Sequence, residues 1–126
     1  MLYSQEDSRV RIVIADDQKH TRQGLKAILN AVYSNAEIRE AADGLEAERL
    51  AREFLPDLII MDVRMPVVDG IAATRLIKAT RPETKILAHS LDPHTGVEAR
   101  AAGADAFVGK GESPGVLLET VRLLLA

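Results

Sequence analysis

The chain has 126 residues, of which 47% are hydrophobic and 28% are charged, and these proportions are typical of one globular domain. Its net charge of −3 argues against a surface that binds nucleic acid, and the absence of cysteine excludes disulfides and thiolate metal sites. The sequence has neither a signal-peptide pattern nor an apolar run near the ~20 residues of a membrane span, so we expect a cytoplasmic protein without membrane contact. We expect a flexible tail at residues 1–8 and a single domain over residues 9–126.

The first half of the chain alternates short apolar runs with amphipathic segments. Residues 11–15, 37–41 and 58–61 predict three strands, of which the second is weak and the third is buried. Each is followed by apolar residues at helical spacing, and Pro56 ends the second helix. The residues predicted to face inward are Leu25, Ile28, Leu29 and Val32 in the first helix, Ala47, Leu50, Ala51 and Phe54 in the second, and Ala73, Leu76 and Ile77 in the third, after Gly70.

The second half continues the alternation. Residues 85–89 predict a fourth strand, residues 97–102 a short helix that stops at Gly103, and residues 106–108 a fifth strand. Ser113 and Pro114 have the residue types of an N-cap and first position of a last helix. The residues predicted to be buried by that helix are Leu117, Leu118, Val121, Leu124 and Leu125.

Five strands alternating with five helices predict an α/β fold, with a parallel sheet covered by helices on both faces. The connection rules leave few topologies, and we expect the doubly wound, flavodoxin-like strand order 2-1-3-4-5. In such sheets, binding sites form at the carboxyl ends of the strands, where the strand order reverses.

Polar side chains stand where the predicted strands end. Asp16 and Asp17 follow the first strand, Asp62 the third and Ser90 the fourth, and Lys110 comes shortly after the fifth. Three converging carboxylates repel one another unless a cation joins them, and Mg²⁺ suits an all-oxygen set best. Because aspartate is also a known phosphoryl acceptor, the pattern favours phosphoryl transfer, with the metal, the ammonium and the hydroxyl meeting the charge of the transferred group.

Four motifs in this order, IVIADD, DLIIMDVRMPVVDG, KILAHS and FVGK, resemble the CheY-like receiver domains of bacterial two-component response regulators. The resemblance covers nearly the whole chain. Arg22, Gly24 and Leu25 are similar, more specifically, to the NarL/LuxR-type branch. The resemblance implies that Asp62 is the phosphoacceptor and a metal ligand, that Asp17 binds Mg²⁺ directly, and that the domain assists its own phosphorylation without being a turnover enzyme.

The resemblance also implies roles for the residues around these acids. Asp16 would lie close to the metal or act through water, and the backbone carbonyl of Arg64 would be a further ligand. Lys110 would pair with the phosphoryl group, Ser90 would be the switch hydroxyl, and Phe107 would be the aromatic residue that reports the switch. The implied partners are a histidine kinase or small phosphodonor, a second copy of the chain after phosphorylation, and DNA only through an output domain outside this chain, to control transcription.

One spacing departs from the family pattern. In the family, the switch residue usually lies 22 positions before the lysine, whereas Ser90 lies 20 before Lys110, and counting back 22 gives Ala88, which has no hydroxyl. Ser90 is preferred because KILAHS ends on it. The shortfall then falls in residues 91–100 and predicts a short fourth helix, weakened further by Asp92-Pro93 and Gly96.

Three alternatives remain open. Asp16 and Asp17 would also suit a helix cap. The same fold could signal by partner binding alone, as a phosphorylation-independent interaction module, and the altered fourth helix motivates that reading. A hydrolase with an aspartyl nucleophile is disfavoured, because haloacid-dehalogenase-like enzymes place two acids as Asp-x-Asp after their first strand.

The three histidines share no metal-ligand spacing and are interpreted as surface or edge residues: His20, His89 and His94.

Overall fold

The structure is a computed structural model that describes residues 9–126, and the predicted tail at residues 1–8 lies outside the described residues. Strands and helices alternate throughout. In chain order they are β1 (Arg11–Ala15), α1 (Lys19–Val32), β2 (Glu37–Ala41), α2 (Gly44–Phe54), β3 (Leu58–Asp62), α3 (Gly70–Thr80), β4 (Lys85–Ser90), α4 (Thr95–Ala101), β5 (Ala106–Gly109) and α5 (Pro114–Leu125). None of the described helices is long and apolar enough to cross a bilayer.

The five strands form one parallel sheet in the order β2-β1-β3-β4-β5, which confirms the predicted fold class and topology. The central strand β3 is buried along its whole length and pairs with β1 and β4. This explains its continuous apolar run, because a strand covered on both faces has no solvent side. The register pairs Asp62 with His89, and Ser90 with Gly109, so the ends of β3, β4 and β5 lie side by side.

Two apolar clusters cover the two faces of the sheet. One contains side chains of α2, α3 and α4, and the other contains side chains of α1 and α5. Successive apolar residues of β1, β3, β4 and β5 alternate between the two clusters, as the period of an extended chain requires. The clusters consist mostly of Leu, Ile, Val and Ala, as expected from a composition with only 3% aromatic residues.

Two residues predicted to face inward are exposed instead. Leu76 retains 54% of its surface, because α3 turns Ala73, Thr74 and Ile77 toward the sheet and Leu76 lies to one side of that face. Val32 is also exposed, since it is the last residue of α1, one turn beyond the buried Leu29. Helical spacing locates an apolar face only to within about one position, and the neighbouring helices decide where that face ends.

Helix α4 has seven residues, which confirms that the fourth helix is short. It begins at Thr95, two residues before the predicted start at Val97. The turn that precedes it is held by the Thr95 hydroxyl, which donates to the carbonyl oxygen of Asp92 at 2.7 Å. The last helix begins at Pro114 with Ser113 at the N-cap position, although the Ser113 side chain makes no capping hydrogen bond.

Candidate functional site

Three acidic side chains converge at the carboxyl ends of β1 and β3. Asp16 and Asp17 directly follow β1, and Asp62 is the last residue of β3. One carboxylate oxygen from each of the three lies within 4.8 Å of the others. Asp16 and Asp62 are buried and Asp17 is exposed, so the cluster has two acids at its base and one at its mouth.

Lys110 reaches this cluster from the loop after β5. Its Nζ lies 2.9 Å from Asp16 Oδ2 and 3.3 Å from Asp62 Oδ1, so one ammonium bridges the two buried carboxylates. Burial opposes the charged form of the lysine, but its hydrogen bond and attraction to Asp16, together with its attraction to Asp62, outweigh that effect and raise the pKa of Lys110. The ammonium is therefore a permanent positive charge at the site near neutral pH.

The pKa of Asp62 is also shifted by its surroundings, but through a different balance of effects from that at Lys110. Burial raises the pKa of its carboxyl group, and the neighbouring Asp16 raises it further, while Lys110 and the backbone N–H of Arg64 act in the opposite direction. The net direction is upward, which means that the charge of Asp62 is not fully compensated by the protein. A carboxylate in this condition is one that an added cation would stabilise.

The loop after β3 and the start of α3 pack against the backbone of Asp62. Asp69 is the N-cap of α3, and its side chain accepts a hydrogen bond from the Ala72 N–H at 2.8 Å. Gly70 packs directly against the backbone of Asp62, so closely that a Cβ atom on Gly70 would lie 1.9 Å from the Asp62 carbonyl oxygen. The Asp-Gly pair so soon after β3 therefore starts a helix whose first turn packs against the phosphoacceptor candidate.

The interpretation of Asp16 and Asp17 as helix caps does not describe the structure. The N-cap of α1 is Gln18, and Asp16 Oδ1 accepts a hydrogen bond from the Gln18 N–H at 2.9 Å within the loop. Asp16 is also buried, unlike a residue that caps a helix at the surface.

Ser90 is the last residue of β4 and is buried at the carboxyl edge of the sheet. The Lys110 N–H donates to its carbonyl oxygen at 2.8 Å, and its hydroxyl accepts from the Asp92 N–H at 3.1 Å. Ala88 lies two residues earlier, paired with Phe107 in the interior. Of the two positions considered from the spacing, Ser90 is therefore the one beside the acidic cluster, although its hydroxyl makes no hydrogen bond to Asp62 among the described residues.

Phe107 lies on the face of β5 that is covered by α4. It is half-buried and packs against the apolar cluster that also contains Ala88 and Ala99. Gly96 in α4 is close to its ring, since a Cβ atom at that position would lie 3.3 Å from the ring carbons. The aromatic side chain thus connects the edge of the sheet to the short helix.

Arg64 extends across the mouth of the site. Its backbone N–H donates to Asp62 Oδ1 at 3.3 Å, and its guanidinium Nη2 lies 3.3 Å from Asp92 Oδ2, in the loop that leads to α4. An open groove of about 570 Å³ lies next to Arg64, and Asp17, Met65 and Thr95 are among the residues that line it. The acidic cluster is consequently accessible from solvent beside Asp17.

His89 corrects the prediction that the three histidines are surface or edge residues. The residue is only 7% exposed, and its buried Nδ1 has no hydrogen-bond partner among residues 9–126. Burial, aided by the charge of Lys110 and opposed by Asp16, lowers the pKa of His89 to about 4. A two-residue alternation in KILAHS could have located it, because it puts His89 on the same face as the buried Leu87.

Comparison with known proteins gives consistent similarities. A family profile described as the response regulator receiver domain matches residues 12–122. Transcriptional activator protein ExaE of Pseudomonas putida is 36% identical over 117 residues, which are 91% of this chain and 55% of that protein. The chain therefore spans about half the length of this curated relative.

Solved structures agree with the sequence comparison. The crystal structure of a LuxR-family two-component response regulator from Aurantimonas sp. SI85-9A1 has a TM-score of 0.87 and 33% identity, covering 93% of this chain and 85% of that chain. Chemotaxis protein CheY4 of Vibrio cholerae has a TM-score of 0.82 and 30% identity, covering 93% of this chain and 99% of that chain.

Proposed function

The chain belongs to the response regulator receiver domain family, and from that membership we propose that residues 9–126 form a single receiver domain whose Asp62 accepts a phosphoryl group. The observation that supports the proposal most is the cluster of three carboxylates within 4.8 Å, with Lys110 bridging the two that are buried. Receiver domains are signalling modules, and we propose a switch rather than a turnover enzyme.

The acidic cluster has the donor set that Mg²⁺ requires. All three side chains offer oxygen, and Asp17 is exposed, which leaves room for the water ligands that Mg²⁺ usually retains. We assign Asp17 and Asp62 as direct ligands, Asp16 as a close or water-bridged one, and the Arg64 carbonyl as a further ligand. Bound Mg²⁺ would supply positive charge to a phosphoryl group and to the carboxylates around it.

In the proposed reaction, a carboxylate oxygen of Asp62 forms a bond to phosphorus while the bond from phosphorus to the donor breaks. The chain's own contribution is to hold that carboxylate in place through β3 and Gly70, and to present the Lys110 ammonium beside it. The ammonium then pairs with a phosphoryl oxygen in place of Asp62 Oδ1, and the Ser90 hydroxyl turns from Asp92 to become a second donor.

The output of the switch is a change around α4 and β5. When the Ser90 hydroxyl leaves the Asp92 N–H, the loop that starts α4 loses one of its anchors. Phe107 packs on the same helix, so a shift there changes its position as well. We propose that this redistributes the domain between two states, with the face formed by α4, β5 and α5 as the surface that differs.

The partners follow from the family. We propose a histidine kinase or a small phosphodonor as the source of the phosphoryl group, and a homodimer as a consequence of phosphorylation. Several relatives are transcriptional regulators, among them ExaE and LnrK, and the chain spans about half the length of each of these two. We therefore propose control of transcription through a DNA-binding output domain.

The proposal is tested by intact mass spectrometry after incubation with acetyl phosphate. We expect the wild type to gain one phosphoryl group with Mg²⁺ and none with a chelator, because the carboxylate cluster repels an anionic donor without a cation. Asp62→Asn is expected to gain none in either condition, since its amide is a poor nucleophile. Circular dichroism of both proteins establishes that they are folded.

The opposite outcome has a specific meaning. If folded wild-type protein gains no phosphoryl group with Mg²⁺, or if Asp62→Asn gains one, the phosphoacceptor proposal fails. The first of these results would favour the phosphorylation-independent interaction module, which the short α4 suggests.

Arg64 is expected to prolong the life of the phosphorylated state. Its guanidinium pairs with Asp92 and its backbone contacts Asp62, and we propose that from this position it restricts the approach of water to the phosphorylated Asp62. We therefore expect Arg64→Ala to speed hydrolysis by roughly fivefold, which corresponds to a small change in the barrier. The rate is measured by loss of the phosphoryl group in intact mass after the donor is removed.

The control for this prediction is Arg75→Ala, which removes an exposed arginine from α3. Its hydrolysis rate should match that of the wild type. Equal rates for the wild type and Arg64→Ala would contradict the role given to Arg64.

A further inference from the structure

Arg22 joins three separate parts of the fold beside the acidic cluster. It lies in the first turn of α1, and its side chain is only 15% exposed. Its Nη1 donates to the backbone carbonyl oxygen of Asp16 at 2.7 Å, and its Nε donates to Glu40 Oε1, near the end of β2, at 2.9 Å. One guanidinium thus ties the loop after β1 to the neighbouring strand and helix.

The carbonyl that Arg22 holds controls the direction of Asp17. It belongs to the peptide unit between Asp16 and Asp17, and because that unit is planar, fixing its oxygen fixes the backbone entering Asp17. The Asp17 carboxylate accepts no hydrogen bond among residues 9–126, so only its backbone and its rotamer direct it toward the cluster. Its placement therefore depends on the bond made by Arg22.

Asp16, unlike Asp17, has hydrogen bonds that direct its carboxylate. Its side chain is held on both oxygens, by the Gln18 N–H at 2.9 Å and by the Lys110 ammonium at 2.9 Å. These bonds remain if Arg22 is removed. Loss of Arg22 is thus expected to disturb the exposed member of the cluster while leaving the buried members in place.

We propose that Arg22 is a positioning residue of the cation site, which orients Asp17 toward a divalent cation through the carbonyl of Asp16. This inference rests on the proposed Mg²⁺ site and adds a residue that acts without touching the ion. Glu40 completes the arrangement, since it holds the guanidinium and offsets its positive charge near the site.

Positioning and charge predict opposite results when Arg22 is removed. If Arg22 acted only through its charge, Arg22→Met would bind Mg²⁺ more tightly, because a repelling cation is lost. If it positions Asp17, Arg22→Met should bind Mg²⁺ about tenfold more weakly, as is typical when a group that orients a metal ligand is lost. The Mg²⁺ affinity of the unphosphorylated protein, measured by NMR titration of backbone amides, distinguishes the two.

Lys26→Met is the matched control. Lys26 also lies near Glu40, with 3.9 Å between Nζ and Oε2, but no hydrogen bond or ion pair among residues 9–126 joins it to the loop that carries the acids. Its removal takes away the same charge from the same carboxylate. We expect its Mg²⁺ affinity to equal or slightly exceed that of the wild type.

Each result decides the inference. Wild-type affinity or tighter binding in Arg22→Met overturns it, as does an equal loss in Arg22→Met and Lys26→Met. If Arg22→Met does not fold without Mg²⁺, Arg22→Lys replaces it. The lysine side chain ends one bond before the Nη1 atom that reaches the Asp16 carbonyl, so that hydrogen bond should be lost while the positive charge stays, and unchanged affinity in that variant overturns the inference. A wild type that binds no Mg²⁺ would instead overturn the proposed metal site.

Discussion

Gly70→Ala is expected to lower the free energy of unfolding by about 3 kcal/mol or more. The added methyl group would lie 1.9 Å from the Asp62 carbonyl oxygen and 2.8 Å from its carbon, and both atoms belong to the central strand. Overpacking usually costs 1–3 kcal/mol, and this clash is with backbone that no rotamer change can move, so we expect the upper end. Guanidinium titration followed by circular dichroism measures the effect.

The same substitution should impair the site. To accept the methyl group, α3 and the end of β3 must separate, and Asp62 moves with β3. A displacement near 1 Å can reduce a rate by ~100-fold, so protein that remains folded should gain phosphoryl groups from acetyl phosphate at least ~10-fold more slowly.

Gly24→Ala is the control for the effect of a methyl group alone. Gly24 lies within α1 and a Cβ atom there would meet nothing within 4 Å, so alanine should stabilise the helix by ~0.5–1 kcal/mol. If Gly70→Ala is as stable as Gly24→Ala, the close packing of α3 against Asp62 is not as the structure describes it.

The pH dependence of stability should carry a contribution from His89. Its pKa is lowered from 6.5 to about 4 in the folded protein, first by burial and then by the charge of Lys110. As the pH falls through 6.5, the unfolded chain takes up a proton at this residue and the folded protein does not. The contribution of neutral His89 to the free energy of unfolding is therefore complete above pH 6.5, and it falls by about 3 kcal/mol between pH 6.5 and pH 4.

The measurement compares the wild type with His89→Leu at several pH values, so that the titration of Asp62 and other carboxyls cancels as far as their environments are unchanged. From pH 7 to pH 4, the free energy of unfolding of the wild type should fall by about 3 kcal/mol relative to that of His89→Leu. Leucine should also raise the free energy of unfolding at pH 7, because the buried Nδ1 has no hydrogen-bond partner in the described part of the chain.

His20→Gln controls for the loss of an imidazole, since His20 is exposed at the start of α1. Its pH curve should follow that of the wild type. A constant difference between the wild type and His89→Leu from pH 7 to pH 4 would show that His89 is not held neutral by burial.

The placement of polar side chains at the strand ends is predictable from the sequence because it depends on connectivity. Asp16, Asp62 and Lys110 each follow an apolar run, and once the strand order is known their convergence follows. The choice of Ser90 over Ala88 was also made from the end of the KILAHS pattern, and the sheet register agrees with that position. The roles of these residues stay predictions.

Other features depended on packing that periodicity does not encode. Leu76 is exposed although helical spacing predicts it inward, because that spacing locates an apolar face only to within about one position. His89 is buried although its residue type is more typical of the surface. The contact between Gly70 and Asp62 was not predicted, since a glycine after an aspartate signals only a turn or a helix start. In the sequence, Arg22 is only a mark of the family branch, and nothing there predicts its contact with the Asp16 carbonyl.

The sequence by itself determined the order of strands and helices, the fold class and the residues at the carboxyl ends, because apolar periodicity and chain connectivity are local properties of the chain. Only the tertiary structure decided which side chains and backbone groups meet. Lys110 bridges Asp16 and Asp62, Arg22 holds the Asp16 carbonyl, and His89 is buried close enough to Lys110 and Asp16 to be affected by their charges. These contacts join residues up to 94 positions apart. Their energies depend on distance and burial in three dimensions, and neither quantity exists until the sheet has formed.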